Sequence, residues 1–418
     1  MKTNNSFIKA IMFSLVLFCS ASHLLASILV TTFGAIGDGI NDDTSAIQQA
    51  IDAAAGIGQG NNARLSREVI FPTGTYRITQ PIQLDHRHIN ISIRGNGYWC
   101  ISGTGDIGVN NLSVRTIIFY DGNDNEPVIN CFNTTGPKIS NMVIDGNNKA
   151  SDIIRINCQQ YGSTHFYFER LWLKNGQKGI SLGEQYNLNC ADMTFTDLVI
   201  TNMGSYGFYA KNYQQVNYVF IRPLFGSMPV GCYFGGGSTA QFILPCFHKV
   251  DDFFVVKHGG VTTGTIGVDG LWFEQEAYSP NKRPRFAVLE GRCIMTMKSF
   301  STTGHLLTDQ TTPLFRLSSG AQLTIIGSTI TGVKIADMTG GLSYVVPSFL
   351  QFINCRFSNG ADPRSGIDTD QYSGYILKNC NIARDTCKPG EIRDFHLPEY
   401  SKYPIAKTVT QAQFDAYQ

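Results

Sequence analysis

The chain is poor in charge and lacks any excess of one sign. Only 16% of its 418 residues are Asp, Glu, Lys or Arg, and 33 basic side chains stand against 32 acidic ones. Holding nucleic acid or an anionic membrane by electrostatics requires a basic surplus, so neither partner is expected. Metal-ligand spacing is missing too. No two cysteines form a CxxC pair and no His/Cys cluster appears, so zinc is not expected and no residue is assigned to a metal. Beyond the first 27 residues no apolar run is long enough to cross a bilayer, which excludes a helical membrane span.

What is abundant points to strands and turns. Glycine contributes 42 residues and aromatics 11%, a balance that suits a strand-rich solenoid rather than a helical or disordered chain. A solenoid can exceed ordinary domain length as one unit, so length alone does not require two domains.

The first segment has Lys2 and Lys9, an apolar run over 11–18, and small residues at Ser20, Ala21, Ser22, Ala26 and Ser27. That is the three-part design of a secretory signal peptide over 1–27, so a secreted or periplasmic protein is expected. Without those two lysines, 31 basic residues face 32 acidic ones, a net of −1. Removing Cys19 leaves ten cysteines, and export permits disulfides. Cys380 with Cys387 and Cys232 with Cys246 are candidate pairs. Cys131, Cys158, Cys190 and Cys355 lie in apolar strands, where a free thiol serves as a small hydrophobe.

The organising block follows at 30–76. Gly37-Asp38-Gly39 is a turn, Asp42-Asp43-Thr44 offers oxygens to cap a helix, and Ile47, Ala50, Ile51 and Ala54 form one apolar helical face ending at Gly56. Residues 69–78 then give a strand, a Pro/Gly turn and a second strand. Residues 33–51 and 69–78 closely match the N-terminal signature of the pectate-lyase-like superfamily, in which "FGA-GDG--DDT-AIQ-AI" precedes "v-FP-GtY-i". The resemblance implies an all-β fold: a right-handed parallel β-helix of single strands, with the 44–55 helix capping its N-terminal end. On this reading Asp38, Asp42 and Asp43 serve the cap rather than chemistry. The β-helix is expected over 28–387 and a C-terminal tail over 388–418, with a last short helix at 410–417.

Within the coil a strand, an Asn or Thr, and a Gly recur. The closing glycines at 146, 176, 204, 304, 332 and 360 give steps of 30, 28, 100, 28 and 28. A period in the high twenties marks one turn of a solenoid. In 195–200, strict alternation would set Phe195, Asp197 and Val199 against Thr196, Leu198 and Ile200. The tract 226–267 breaks the period and is expected to grow loops.

The polygalacturonases and rhamnogalacturonases of the superfamily carry an Asn-Thr-Asp strand, a paired Asp, Gly-His-Gly and Arg-Ile-Lys, and none of these stands here. The resemblance therefore supplies the scaffold and leaves the reaction open. The best remaining constellation is 269–278. If this is a rung strand, Leu271 and Phe273 point inward while Trp272, Glu274 and Glu276 line the outer face. Glu274 and Glu276 would then be roughly 6.6 Å apart at Cα, near the carboxyl spacing of inverting glycoside hydrolysis. Trp272 and Tyr278 could stack on sugar rings. Two ordinary solvated glutamates are the plainer alternative.

A second cluster holds His248, Lys249, Asp251, Asp252, Lys257 and His258. A lyase that removes the proton beside a uronate carboxylate needs a base and a neutralising cation, and His248 and His258 supply candidate groups. No cofactor is expected, except calcium if the chemistry is that of a lyase. Two classes of function remain: an enzyme cleaving an extracellular or cell-wall polysaccharide as hydrolase or lyase, and a non-catalytic glycan-binding, adhesin-like or tailspike-like β-helix. The leader peptide favours a monomer over a tailspike homotrimer.

Overall fold

The computed structural model describes residues 27–57, 67–98, 115–160, 162–183, 189–211, 216–258, 264–273, 277–280, 282–302, 311–332, 334–339, 347–358, 361, 363–370, 373–382, 385–386 and 392–396. The leader, Glu274, Glu276, Cys387 and the 410–417 helix lie outside them.

The helix forms at Thr44–Ala55, and Ile47, Ala50, Ile51 and Ala54 are fully buried against the first turn of the coil. Burying each isoleucine is worth about 1.5–3 kcal/mol. Gly56 ends the helix in the left-handed conformation at φ 79°. One expectation changes: Asp43 does not cap the helix with its side chain. Its carboxylate instead accepts from Ile36 N at 2.7 Å and Gly37 N at 3.0 Å, closing the glycine turn, while Asp42 Oδ1 accepts from Thr44 N at 3.0 Å. His88 locks the helix to the coil, with Nδ1 accepting the Asp85 amide at 3.0 Å and Nε2 facing Asp52 at 2.9 Å.

Behind the cap the chain winds as a right-handed parallel β-helix with three walls, the hand that parallel crossovers take. Wall one starts at Ile28–Leu29, continues through Glu68–Phe71 and Ser92–Gly95, and reaches Ser373–Lys378. Wall two starts at Gly74–Ile78 and Thr116–Tyr120. Wall three runs from Ile82–Leu84 through Pro127–Phe132 and Asp152–Asn157 to Arg285–Gly291 and Ile367–Thr369. Long strands bend around corners: Tyr167–Leu182 and Met193–Ala210 serve all three walls, and Leu224–Phe234 and Cys246–His258 serve two each. At the far end Ile392–His396 pairs antiparallel with Ser373–Lys378.

The corners explain why strict alternation fails. Asn141, Arg170, Asp197, Arg222, Asn354 and Asn379 turn wall one into wall two with φ between 50° and 63°. A left-handed residue reverses the side-chain sense, so Phe195 and Leu198 both point inward across Asp197, where alternation would oppose them. The interior is a stack of like residues in register. Val69, Ile93, Ile139, Phe168, Phe195, Phe220, Phe242, Val268, Met297, Ile325, Phe352 and Leu377 form one continuous column of wall one. Within it Phe195, Phe220 and Phe242 stack at 4.3 Å centroid spacings.

Two further expectations are corrected. The described residues of the tract 226–267 are largely strand rather than loop, in Leu224–Phe234, Thr239–Ile243, Cys246–His258 and Gly264–Asp269. Its glycines are needed for close approach: at Gly231 a Cβ would lie 2.5 Å from Phe247 and 2.8 Å from the Phe253 carbonyl oxygen. Cys232 and Cys246 are not paired. Cys232 faces the interior from wall three while Cys246 begins the wall-two strand of the next turn, so the two do not bond to each other. Cys380, proposed to pair with Cys387, is likewise a free buried thiol, as are Cys131, Cys158, Cys190 and Cys355.

Candidate functional site

The residues expected to act together are only partly assembled. Trp272 stands on the short wall-two strand Trp272–Phe273 and is 57% exposed, while Leu271 is buried and Phe273 packs on the core. Leu271, Trp272, Phe273, Ser299, Phe300, Ser301 and Gly327 line a cavity of about 520 Å³ at the corner between walls one and two. Tyr278 is exposed on the loop that follows.

The histidine cluster does not converge. His248 belongs to the wall-two part of its strand, Lys249 turns the corner at φ 50°, and His258 ends the wall-three part. Between them Asp251 accepts from Ser279 N at 2.7 Å and Ser279 Oγ at 2.6 Å, which anchors the Tyr278 loop. Burial, with help from Arg292, lowers the pKa of His258.

The densest constellation among the described residues lies on the outer face of wall three, and the sequence reading passed over it. Parallel register places Gln83, Asn130, Arg155, Ser181, Tyr209, Tyr233, Val255, Val288, Arg316, Asp337 and Asp368 in one outward column. A second column beside it runs Asp152, Lys178, Tyr206, Val230, Asp252, Arg285. Residues 21 to 47 apart in sequence thus become neighbours one strand spacing apart.

Three tyrosines occupy the middle. Tyr209 and Tyr233 stack at 4.9 Å and 21°, and Tyr206 lies 4.7 Å from Tyr209 and 5.4 Å from Tyr233. Rings stacked along the coil axis cover each other's faces and leave edges and hydroxyls to the outside. Burial first, then Tyr206 and Glu290, push the Tyr233 hydroxyl pKa up, so it remains a proton donor. Toward the N-terminal side Lys178 Nζ lies 5.1 Å from the Tyr209 ring and 3.7 Å from Asp152 Oδ1. Asp152 is fully buried, and Arg155 grips its Oδ2 through Nε at 2.9 Å and Nη2 at 2.5 Å. Toward the C-terminal side Arg285 holds Asp252 with two bonds of 2.5 and 2.7 Å. Asp152, Asp251 and Asp252 are all engaged, so what the wall offers around the three rings is phenol hydroxyls beside Lys178 and Arg155.

A long parallel β-helix with a capping helix and a polar, aromatic outer wall is the architecture of the pectate-lyase-like proteins. Residues 27–219 match the family described as "Rhamnogalacturonase A/epimerase, pectate lyase-like", so that part of the chain is similar to that family. A stretch of 65 residues is 48% identical to the plasmin and fibronectin-binding protein A of Streptococcus pneumoniae, covering 15% of this chain and 8% of that one. Fifty residues are 50% identical to mannuronan C5-epimerase AlgE5 of Azotobacter vinelandii, covering 12% and 4%. The matched stretches are therefore under a tenth of those relatives' own length. Among solved structures, the A-module of mannuronan C-5 epimerase AlgE4 from A. vinelandii superposes with a TM-score of 0.51 at 16% identity over 85% of this chain and 95% of that one. The catalytic unit of a GH87 alpha-1,3-glucanase from Streptomyces thermodiastaticus gives 0.53 at 16% identity over 88% and 70%. These superpositions establish a shared fold.

Proposed function

We propose that the protein is an exported carbohydrate-active β-helix that takes a polysaccharide along the outer face of wall three. The observation that supports this reading is the Tyr206, Tyr209 and Tyr233 cluster, with Lys178 and Arg155 at one end. Phenol hydroxyls suit sugar hydroxyls, and the two cations suit a sugar carboxylate, so a uronate-bearing chain is the favoured substrate. Of the reaction classes, proton removal beside a uronate carboxylate suits the phenol hydroxyls and the two cations beside them, and Asp152, Asp251 and Asp252 are held by Arg155, Ser279 and Arg285.

The test is incubation with acidic and neutral polysaccharides, following both new reducing ends and the absorbance of unsaturated uronate. The reading expects both signals on an acidic chain, with Lys178→Met and Tyr209→Phe each losing most of them. Reducing ends without the absorbance would overturn it in favour of hydrolysis by Glu274 and Glu276. Binding without either product would make the protein a glycan-binding β-helix.

A further inference from the structure

We propose that Cys158 and Cys190 close a disulfide that staples two consecutive turns of the coil when the chain folds in an oxidising compartment. Cys158 directly follows the wall-three strand Asp152–Asn157, and Cys190 precedes the strand Met193–Ala210. Both residues are 0% exposed, and their sulfurs lie 3.6 Å apart. A disulfide needs about 2.0 Å, so each sulfur has to advance by about 0.8 Å, within reach of a side-chain rotation.

The hydrogen bonding around the pair survives the loss of both thiol protons. Cys158 donates to the Asn189 carbonyl at 3.2 Å, and Cys190 reaches toward the Ile156 carbonyl at 3.8 Å. Each of these carbonyls already accepts a backbone amide, from Ser163 at 2.9 Å and from Gly183 at 2.9 Å. Oxidation therefore leaves no buried acceptor orphaned, which removes the usual cost of such a change. The Cys190 thiol, bonded to Cys158, lowers the pKa of the Cys158 thiol and makes it the better nucleophile of the two.

The Cys158 thiolate attacks the disulfide of an oxidant, either a thiol–disulfide oxidoreductase or glutathione disulfide, forming a mixed disulfide and releasing one oxidant thiol. Cys190 thiolate then attacks the Cys158 sulfur, the bond between the two cysteines forms, and the second oxidant thiol leaves. Two protons and two electrons pass from the pair to the oxidant. Full burial means that the exchange happens before the two turns close over the sulfurs.

The full chain is produced in the bacterial periplasm, denatured in an alkylating reagent without reductant, and peptide-mapped by mass spectrometry. The expected product is a cross-linked pair of peptides carrying Cys158 and Cys190, about 2 Da lighter than the dithiol and separated by phosphine. Alkyl label on both cysteines would overturn the proposal. Cys158→Ala, Cys190→Ala and the double variant give an independent reading. In periplasmic protein all three should lower Tm by one shared amount relative to the parent, and the gap should largely vanish when all four are made in the reducing cytosol. A gap unaffected by the compartment would mean that the sulfurs act only as buried side chains.

Discussion

Phe220→Ala tests how the interior supports the outer wall. The Phe220 ring is fully buried, stacked on Phe195 and Phe242 at 4.3 Å, and met edge-on by Phe208 at 5.0 Å. Phe208 lies on wall three between Tyr206 and Tyr209, so a void at Phe220 opens beneath the tyrosine cluster. A buried Phe→Ala change costs about 3–5 kcal/mol, from the lost transfer energy and the cavity left behind. For 418 residues at about 2.1 cal/mol/K each, the unfolding entropy is about 0.9 kcal/mol/K, so Tm should fall by about 3–6 °C. Phe220→Leu fills most of the space and should recover more than half of that. The assay is calorimetric melting, with polysaccharide affinity measured on the same samples. A Tm change under about 1 °C for the alanine variant, or an equal fall for leucine, would refute the claim that stacked rings hold the turns together.

Other outcomes follow from the same structure. Ile51→Asp places a charge on the buried face of the Thr44–Ala55 helix, so soluble yield and Tm should both fall, whereas Ser45→Asp on the outer side should leave them unchanged. Glu274→Gln and Glu276→Gln should leave turnover intact if wall three carries the chemistry, and loss of turnover in both with an unchanged melt would move the site to the 269–278 segment. The lowered pKa of His258 makes the unfolded chain take up its proton first as pH falls through about 6.5. Its contribution is therefore present above that pH and lost below it, so the parent's Tm should drop between about pH 7.5 and pH 5.5, with a shallower drop in His258→Gln.

The solenoid and its cap were legible in the chain because both rest on local rules. Glycine turns, the 3.6-residue spacing of Ile47, Ala50, Ile51 and Ala54, and a recurring step near 28 residues each need only short windows of sequence. The Asn recurring at strand ends was legible for the same reason, and the structure puts several of these, such as Asn141 and Asn354, at corners in the left-handed region that asparagine tolerates. The reversal of side-chain sense at Asp197 was not, because that residue type also sits comfortably within an ordinary strand end. Nor was the strand content of the described part of 226–267, where a glycine such as Gly231, which suggests a loop, instead lets neighbouring turns approach. The wall-three cluster needed the tertiary structure altogether. Asp152, Lys178, Tyr206 and Tyr209 are unremarkable in sequence, and the exact length of every intervening turn decides whether they share a column. A one-residue change in any turn would shift the register and send a tyrosine to the other face. The same holds for Cys158 and Cys190, 32 residues apart and brought into contact only by the stacking of successive turns.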